Sequence, residues 1–346
     1  MSSAIMSSAN MSSTVADRVR IDVRLGPDDL AEQLERDVRA GLSADPRQLP
    51  PKWFYDECGS QLFDAITRLP EYYPTEAERA ILHQRADDVV QATGADTLVE
   101  LGSGTSDKTG VLLDAMSDTG QMARYVPFDV SEETLRDASH RLAERYDGLE
   151  IEGVVGDLDH DLDAIPRDGR RLVAFLGGTI GNYPPGPRSR LLGDLAGALD
   201  PGDHLLLGTD LVKDPQRLLD AYDDSQGVTA EFNRNVLAVV NHRLDADFDL
   251  DAYEHVAVWD DDHAWIEMRL RSDRQQIVRI EALDMEVPLA RDEEILTEIS
   301  AKFTQPTLDA ELSHAGLELV DWWTDDDGDF ALSLARLVPA PRPPLR

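Results

Sequence analysis

Residues 99–109 read V-E-L-G-S-G-T-S-D-K-T, an apolar strand that runs into a glycine turn and then into a helix. Gly102 and Gly104 allow a sharp backbone turn and let a ligand approach the main chain, which a side chain would block. A dinucleotide-binding loop has a third glycine three residues after the second. Asp107 stands there instead, and Glu100 precedes the first glycine by two residues. This pattern is closer to an S-adenosylmethionine (SAM) loop, and NAD is the competing cofactor.

Strands and helices alternate regularly around this loop. The predicted strands are 97–101, 123–128, 149–155, 171–176 and 204–208, and the predicted helices between them are 108–116, 132–146 and 188–199. Apolar strands separated by helices indicate a parallel sheet with both faces covered. A helix over 307–315 and strands over 317–324 and 330–336 predict a terminal antiparallel hairpin. The fold class is therefore α/β, with a Rossmann-like parallel sheet.

Two other segments break this rhythm and predict a second, smaller α+β domain from residues 21–76 and 212–302. The first is mostly helical, and the second holds helices over 215–223 and 228–243, strands over 257–271 and 276–287, and a helix or turn over 293–300. The larger domain then comprises 77–211 and 303–338. Residues 1–20 are expected to form a disordered tail and 339–346 a loose one.

The composition limits the partners. The chain has 68 acidic and 33 basic residues, a net charge of −35, and only four lysines. An acidic, lysine-poor surface is typical of adaptation to high salt, where charge repulsion is screened, and an ordinary acidic cytosolic protein is the alternative. No basic stripe suits nucleic acid, no apolar run spans a membrane, and the N-terminus lacks signal-peptide features. We expect a cytoplasmic protein. Cys58 is the single cysteine, and the histidine spacing predicts no metal site.

Acidic residues follow three successive predicted strands, namely Glu100, Asp129 and Asp157. Ligands of open parallel sheets bind at the carboxyl ends of the strands. An acid after the second strand can accept hydrogen bonds from both ribose hydroxyls, and an acid after the third can accept one from the adenine amine. Lys108, at the start of the following helix, can reach a cofactor carboxylate. The sequence therefore predicts a nucleoside cofactor at this edge.

Further motifs resemble one family over roughly residues 25–336, the histidine-specific Nα-methyltransferases of ergothioneine biosynthesis. They are P-P-K-W-F-Y-D (50–56), L-P-E-Y-Y-P-T (69–75), the glycine stretch (99–109), F-L-G-G-T-I-G-N (175–182), L-L-G-T-D-L-V-K-D (206–214), A-Y-D-D (221–224), F-N-R-N-V-L (232–237) and E-I-S-A-K-F (298–303). The resemblance implies SAM-dependent trimethylation of the α-amine of L-histidine to hercynine. It also implies that the smaller domain binds the substrate.

The resemblance also implies roles for individual residues. Those implied to bind the cofactor are Gly102, Lys108, Asp129, Asp157 and Leu158, although Leu158 replaces an aromatic residue expected beside adenine. Those implied to bind the substrate are Tyr72, Asn182 and Tyr222 at its carboxylate and amine, and the segment Glu298, Ile299 and Ser300, of which Glu298 and Ser300 would address the imidazole. Tyr55 is similar to a tyrosine that lines the site near the amine, and it is the catalytic candidate.

The expected chemistry needs in-line alignment and a neutral amine. Tyrosine and asparagine can hold the amine by hydrogen bonds that tolerate increasing methylation. The general base is not evident from the sequence, and Tyr55 acting through a water molecule is a hypothesis. We expect a monomer that binds L-histidine and SAM. The alternatives are a methyltransferase for another amino acid or imidazole amine, a non-catalytic SAM-binding protein, and an NAD-dependent oxidoreductase.

Overall fold

The computed structural model describes residues 15–106 and 108–338. Its largest feature is an eight-stranded sheet. Numbered along the chain and given in spatial order, its strands are β1 (Val19–Val23), β5 (Glu150–Val155), β4 (Arg124–Asp129), β3 (Thr97–Leu101), β6 (Arg171–Phe175), β7 (His204–Asp210), β14 (Phe330–Leu337) and β13 (Leu317–Thr324). The strands from β1 to β7 pair in parallel, and β14 and β13 are antiparallel. The predicted α/β class, with its parallel sheet and terminal antiparallel hairpin, is confirmed.

The helices connect these strands and cover the sheet. They are α1 (Val15–Arg18), α2 (Pro27–Ser43), α3 (Glu57–Ile66), α4 (Pro74–Thr93), α5 (Thr109–Asp118), α6 (Glu132–Arg145), α7 (Pro185–Ala198), α8 (Pro215–Tyr222), α9 (Val228–Leu244) and α10 (Gln305–His314). Short 3-10 helices span Pro51–Phe54, Leu162–Ala164, Thr179–Asn182, Leu250–Ala252 and Glu281–Leu283. Within the described ranges, every helix is too short or too polar to cross a membrane.

Strand β3 shows why the parallel strands are apolar throughout. Leu98 and Val99 are consecutive and both 0% exposed, and consecutive strand residues point to opposite faces of a sheet. Leu98 belongs to the core that includes residues of α4 and α5, whereas Val99 belongs to the core that includes residues of α7 and α10. Helices therefore bury both faces of the sheet, and its carboxyl edge is left to hold a site.

A second unit packs around its own core. It has a four-stranded sheet in the order β2 (Arg47–Gln48), β12 (Glu294–Ala301), β9 (Trp265–Ser272) and β8 (Tyr253–Asp260), and a hairpin of β10 (Gln276–Ile280) and β11 (Met285–Leu289). Apolar residues of α2, α8 and α9 complete the core, among them Leu42, Leu218 and Val236. This unit has the α+β character that the sequence predicts for the smaller domain, and its role in binding substrate stays a prediction.

Two predictions in this unit are wrong. Residues 293–300 were expected as a helix or turn, but β12 covers most of them as a strand paired with β9. The reason is tertiary, because Ile295 and Ile299 bury their side chains in the sheet. The expected single strands over 257–271 and 276–287 are each two strands, because tight turns divide them at Ala264 and Asp284, which have positive φ.

The domain boundaries also differ near the N-terminus. Residues 15–20 are ordered and not part of a tail, since β1 pairs in parallel with β5 at the edge of the main sheet. The guanidinium of Arg18 donates hydrogen bonds to the carbonyl oxygens of Ala143 (2.6 Å), Tyr146 (2.9 Å) and Leu149 (3.2 Å), which ties this segment to the end of α6. The predicted boundary at residue 76 falls inside α4. Residues 1–14, Asp107 and the predicted tail 339–346 lie outside the described residues.

Candidate active site

The glycine loop after β3 leaves room for a ligand. Gly102 and Gly104 have φ angles of 66° and 47°, in the left-handed region that favours glycine. A Cβ atom on either would meet no other atom within 4 Å. Between them the hydroxyl of Ser103 is buried and finds no hydrogen-bond partner among the described residues. Buried hydroxyls are normally paired, so this open loop with an unpaired hydroxyl fits a polar ligand such as a nucleoside cofactor.

Asp129 ends β4 beside this loop, as the sequence predicts. Its Oδ2 accepts a hydrogen bond from the N–H of Gly104 at 2.8 Å, and its Oδ1 accepts one from the N–H of Ser131 at 3.0 Å. Burial raises the pKa of Asp129, and hydrogen bonds from the backbone oppose that rise. The carboxylate therefore fixes the conformation of the loop and lies where a ligand on the loop would meet it.

Glu100 has a different position from the other strand-end acids. It is buried, and its Oε2 accepts hydrogen bonds from the hydroxyl groups of Thr109 and Tyr125, the latter at 2.6 Å. Burial raises the pKa of Glu100 to about 7. The hydroxyl of Tyr125 also contacts that of Ser106 at 2.9 Å. Through these hydrogen bonds, Glu100 holds the glycine loop and the start of α5 in place.

Asp157 and Leu158 follow β5 on the same edge as Asp129, because β4 and β5 pair in parallel. The Oδ1 of Asp157 accepts a hydrogen bond from the N–H of Asp159 at 2.9 Å, and its Oδ2 lies 3.5 Å from Nδ1 of His160. Leu158 is half-buried and packs against the apolar core on that face of the sheet. The structure thus brings together three predicted cofactor positions at the ends of β3, β4 and β5.

Lys108 immediately precedes α5 and forms an ion pair with Glu78 of α4. Glu78 is fully buried, and its Oε1 accepts a hydrogen bond from the N–H of Gly177, just beyond the end of β6, at 2.8 Å. The side chain of Lys108 is 23% exposed, so its ammonium group lies at the rim of the strand ends. Glu78, which sequence reasoning missed, holds Lys108 and the backbone after β6 in one arrangement.

Aromatic rings line the second unit where it faces these strand ends. Tyr55 contacts Phe63 and Phe232 edge-to-face, with both pairs of ring centroids 5.5 Å apart. Tyr72 continues the series, with its centroid 6.2 Å from that of Phe63 and 6.4 Å from that of Tyr222. Burial raises the pKa of Tyr72 and Tyr222 well above the ordinary value, and the carboxylate of Glu298 adds to the shift. Tyr55 is 43% exposed, and the nearby carboxylate of Glu298 also acts to raise its pKa. These tyrosines are neutral phenols near neutral pH.

The loop that carries Tyr55 is fixed from α9. The side-chain amide of Asn235 donates hydrogen bonds to the carbonyl oxygen of Phe54 at 3.0 Å and to Oδ1 of Asp56 at 2.8 Å. Asp56 also caps α3 through the N–H of Gly59 at 2.8 Å. A Cβ atom at Gly59 would lie 1.7 Å from the Phe54 oxygen, so this position requires glycine. These contacts explain why residues 50–56 and 232–237 form distinct motifs.

Glu298 and Ser300 lie on the same face of β12, two residues apart. Tyr222 donates a hydrogen bond to Oγ of Ser300 at 2.7 Å. Burial raises the pKa of Glu298 to about 7, and the positive charge of Lys302 counteracts part of that rise. Ile299 is buried and, by the alternation of the strand, its side chain points to the opposite face. On the face that carries Glu298 and Ser300, only the backbone of Ile299 could make the implied contact with substrate.

Asn182 lies next to the end of β12. It ends the 3-10 helix that follows β6, and the preceding Gly181 packs against the backbone of Ala301. A Cβ atom at Gly181 would come within 2.9 Å of the Ala301 oxygen, which explains a glycine here. The motif at 175–182 therefore brings a half-buried amide to the junction between the main sheet and the second unit.

A cluster of charged and polar side chains lies where the two units meet. It consists of Tyr73, Asp210, Lys213 and Lys302, and we call it the Asp210 cluster. Asp210 ends β7, and its carboxylate contacts Nζ of Lys302 at 2.8 Å, the hydroxyl of Tyr73 at 2.9 Å and the ammonium of Lys213. Lys302 also donates to Oγ of Ser300 at 2.8 Å and to the hydroxyl of Tyr222 at 3.0 Å. Burial acts to raise the pKa of Asp210, but the two ammonium groups outweigh it and lower that pKa.

Sequence reasoning missed this cluster, although the composition held a signal. The chain uses arginine for nearly all of its basic residues, and three of its four lysines, Lys108, Lys213 and Lys302, lie at the candidate site. A lysine offers a compact point charge with three donors, which arginine cannot replace in a small polar pocket. The same scarcity of lysine that singles out Lys108 in the sequence applies equally to Lys213 and Lys302.

One acidic turn bears on the prediction that the chain has no metal site. Asp325, Asp327 and Asp329, between β13 and β14, each place a carboxylate oxygen within 4.8 Å of the others. The carboxylate of Asp325 accepts hydrogen bonds from the N–H groups of Asp327, Asp329 and Phe330, and Asp329 pairs with Arg217. These contacts account for the acids as parts of the turn, and no metal role is assigned to them.

The parallel sheet, the open glycine loop and the acids at the strand ends are features of the α/β enzymes that bind a nucleoside at the carboxyl edge of the sheet. The family model of the histidine-specific, SAM-dependent methyltransferases matches residues 34–337. The chain belongs to this family.

Curated relatives agree with this assignment. The chain is 60% identical over 311 residues to the histidine N-alpha-methyltransferase of Mycolicibacterium smegmatis, covering 90% of this chain and 97% of that protein. It is 56% identical over 318 residues to the protein of the same name from Mycobacterium tuberculosis, covering 92% and 99%. Ergothioneine biosynthesis protein 1 of Neurospora crassa is 30% identical over 288 residues, which cover 81% of this chain and 32% of that longer protein.

The raised pKa of Glu298 predicts a pH-dependent effect of Glu298→Gln on stability. The folded-state pKa of about 7 lies above the ordinary value of 4.5, so ionising Glu298 destabilises the free protein as the pH rises from 4.5 through 7. Glutamine cannot ionise. The ligand-free variant should therefore melt about 2–4 °C above the parent at pH 8.5, with a smaller difference at pH 5, as measured by calorimetry.

The exposed Glu144 on α6 offers the control. Glu144→Gln should shift the melting temperature equally at both pH values. A Glu298→Gln effect that does not change between pH 5 and pH 8.5 would contradict the assigned pKa.

Proposed function

We propose that this chain transfers methyl groups from SAM to the α-amine of L-histidine, three in succession, giving the trimethylated product hercynine that leads to ergothioneine. The observation that carries the proposal is the pair Glu298 and Ser300. A carboxylate and a hydroxyl on one face of β12 can address the two nitrogens of one imidazole, beside the tyrosines that face the strand ends. Family membership supports the same reaction and cofactor.

We assign SAM to the loop between β3 and α5 and to the adjoining strand ends. The backbone at Gly102 and the free hydroxyl of Ser103 would contact the amino-acid part, Lys108 its carboxylate, Asp129 the ribose hydroxyls and Asp157 the adenine amine. Leu158 would pack on the adenine with an aliphatic surface. Bound there, SAM supplies an activated methyl group, and the enzyme's part is alignment of the amine.

We assign the histidine backbone to Tyr72, Asn182 and Tyr222. Tyr72 and Asn182 can donate hydrogen bonds to its carboxylate, and the oxygen of Tyr222, whose hydrogen goes to Ser300, can accept one from its amine. Glu298 and Ser300 would bind the imidazole, and a ring that leaves either of them unpaired would be rejected at a cost in binding free energy. A monomeric state remains a prediction from the sequence. The cytoplasmic location and the adaptation to high salt remain predictions from the sequence.

We keep Tyr55 as the residue proposed to lie near the amine, and the protonation state of its phenol bears on its role. A phenol whose pKa exceeds 10 holds its proton near neutral pH, so Tyr55 does not act as a phenolate base in the resting enzyme. Its hydroxyl can accept a hydrogen bond from the amine or orient a water molecule that carries the proton away. The general base acting through such a water stays a hypothesis.

The product identity tests the proposed reaction. The purified protein, L-histidine and SAM should yield a histidine derivative with three added methyl groups, detected by mass spectrometry in both low and high salt. Other proteinogenic amino acids serve as the matched comparison. Preferred methylation of one of them would contradict the assignment of L-histidine as the substrate. Binding of SAM without formation of S-adenosylhomocysteine would instead indicate a non-catalytic protein, and NAD binding an oxidoreductase.

The cofactor assignment predicts that Asp129→Asn weakens SAM binding about 10- to 100-fold, since charge-assisted hydrogen bonds to the ribose are lost. Isothermal titration calorimetry measures this effect. Asp118→Asn, at the exposed end of α5, is the control and should leave the affinity unchanged. An Asp129→Asn protein that binds SAM as tightly as the parent would contradict the assignment.

A further inference from the structure

Lys302 uses all three of its donors inside the protein. Its side chain is 0% exposed, and its ammonium donates to Oδ2 of Asp210 at 2.8 Å, to Oγ of Ser300 at 2.8 Å and to the hydroxyl of Tyr222 at 3.0 Å. An ammonium has three hydrogens and no lone pair. Lys302 therefore has no donor left for a substrate, and whatever it does in the reaction it does through Ser300 and Tyr222.

The hydroxyl groups of Ser300 and Tyr222 have one hydrogen each. Ser300 and Tyr222 hydrogen-bond to each other at 2.7 Å, and both also accept a hydrogen from Lys302. One of their two hydrogens occupies the mutual bond, so one is left to point outward. Because Tyr222 donates to Ser300, both lone pairs of Ser300 are used and its hydrogen is free. The pair therefore offers one hydrogen, that of Ser300, beside a positive charge.

We propose that Lys302, held by Asp210, is a positioning residue that makes the Ser300–Tyr222 hydroxyl pair a hydrogen-bond donor toward the substrate ring, so that the site selects a ring with an unprotonated nitrogen there. The inference rests on the proposed function, because it deepens the imidazole contact assigned above. Asp210 is the counter-charge that keeps a fully buried ammonium in place.

Glu298 supplies the complementary half. Two residues along a strand are about 7 Å apart, a span that places a ring between Glu298 and Ser300. Glu298 bears no hydrogen when ionised and so accepts from a ring N–H, whereas the hydroxyl pair donates to the other nitrogen. The positive charge of Lys302 favours the ionised form of Glu298. The two contacts together match a neutral imidazole, with one N–H and one bare nitrogen, in a single orientation.

The test compares L-histidine with the two pyrrolyl-L-alanines, each of which keeps one ring N–H and has CH in place of the other nitrogen. The parent enzyme should prefer histidine by about 100-fold or more in kcat/KM. Lys302→Met together with Asp210→Asn removes the Lys302 charge and its counter-charge together, and Lys213 keeps its hydrogen bond to the hydroxyl of Tyr73 at 2.6 Å. This double variant should lose at least about tenfold of that preference, chiefly through a higher KM for histidine, while its Kd for SAM stays within about twofold.

Lys213→Met provides the matched control. Lys213 also pairs with Asp210 and is nearly buried, but it contacts neither Ser300 nor Tyr222. The Lys213→Met variant should keep the preference for histidine, even if the substitution lowers the stability of the protein. A Lys213→Met protein that loses the preference as much as the double variant would show that any damage to the Asp210 cluster suffices, and would overturn the specific role of Lys302.

A second measurement uses the parent protein, so the proposal stays testable where the double variant does not fold. Nitrogen-15 NMR of ring-labelled L-histidine, bound with S-adenosylhomocysteine at pH 8, should show one protonated and one unprotonated, hydrogen-bonded ring nitrogen. Two protonated nitrogens would overturn the proposal, as would an unchanged preference in the double variant. A parent protein that neither binds nor methylates histidine would instead refute the proposed function.

Discussion

The buried ion pair between Asp210 and Lys302 is the interaction on which the rest of the site depends. Asp210 ends β7 of the main sheet, and Lys302 follows β12 of the second unit. Backbone hydrogen bonds run beside it, from the N–H of Phe303 to the Asp210 oxygen at 2.8 Å and from that of Val212 to the Phe303 oxygen at 2.9 Å. Buried charges are costly unless paired, so this junction stabilises the observed relative position of the two sheets.

That position brings two sets of residues to the same edge of the molecule. The glycine loop, Asp129 and Asp157 lie at the carboxyl ends of β3, β4 and β5, as parallel sheets require. The end of β12 brings Glu298 and Ser300 to the next strand ends along the sheet, and Asn182 approaches from β6. The residues proposed to bind cofactor and substrate therefore lie at one junction between the main sheet and the second unit.

Much of this arrangement could be predicted from the sequence, and the exceptions have physical causes. The parallel strands are buried on both faces and read as apolar runs, so Thr97–Leu101 was located at its observed bounds. Residues 293–300 lacked that signal, because only the buried Ile295 and Ile299 mark β12 as a strand. The edge strand β1 is short and half-exposed, so it resembled a tail. Lys302 and Glu78 form ion pairs with Asp210 and Lys108, which lie far away in sequence, and only the folded chain shows those contacts.

A double-mutant cycle on Asp210 and Lys302 tests most directly whether this pair holds the two units together. The free energy of unfolding in denaturant is measured for the parent, Asp210→Asn, Lys302→Met and the double variant. The account predicts that the double variant is less destabilised than the sum of the two single variants, by more than about 1 kcal/mol, because Asp210→Asn alone leaves the fully buried ammonium of Lys302 without its counter-charge and Lys302→Met removes that cost. Effects that add to within about 0.5 kcal/mol would contradict it.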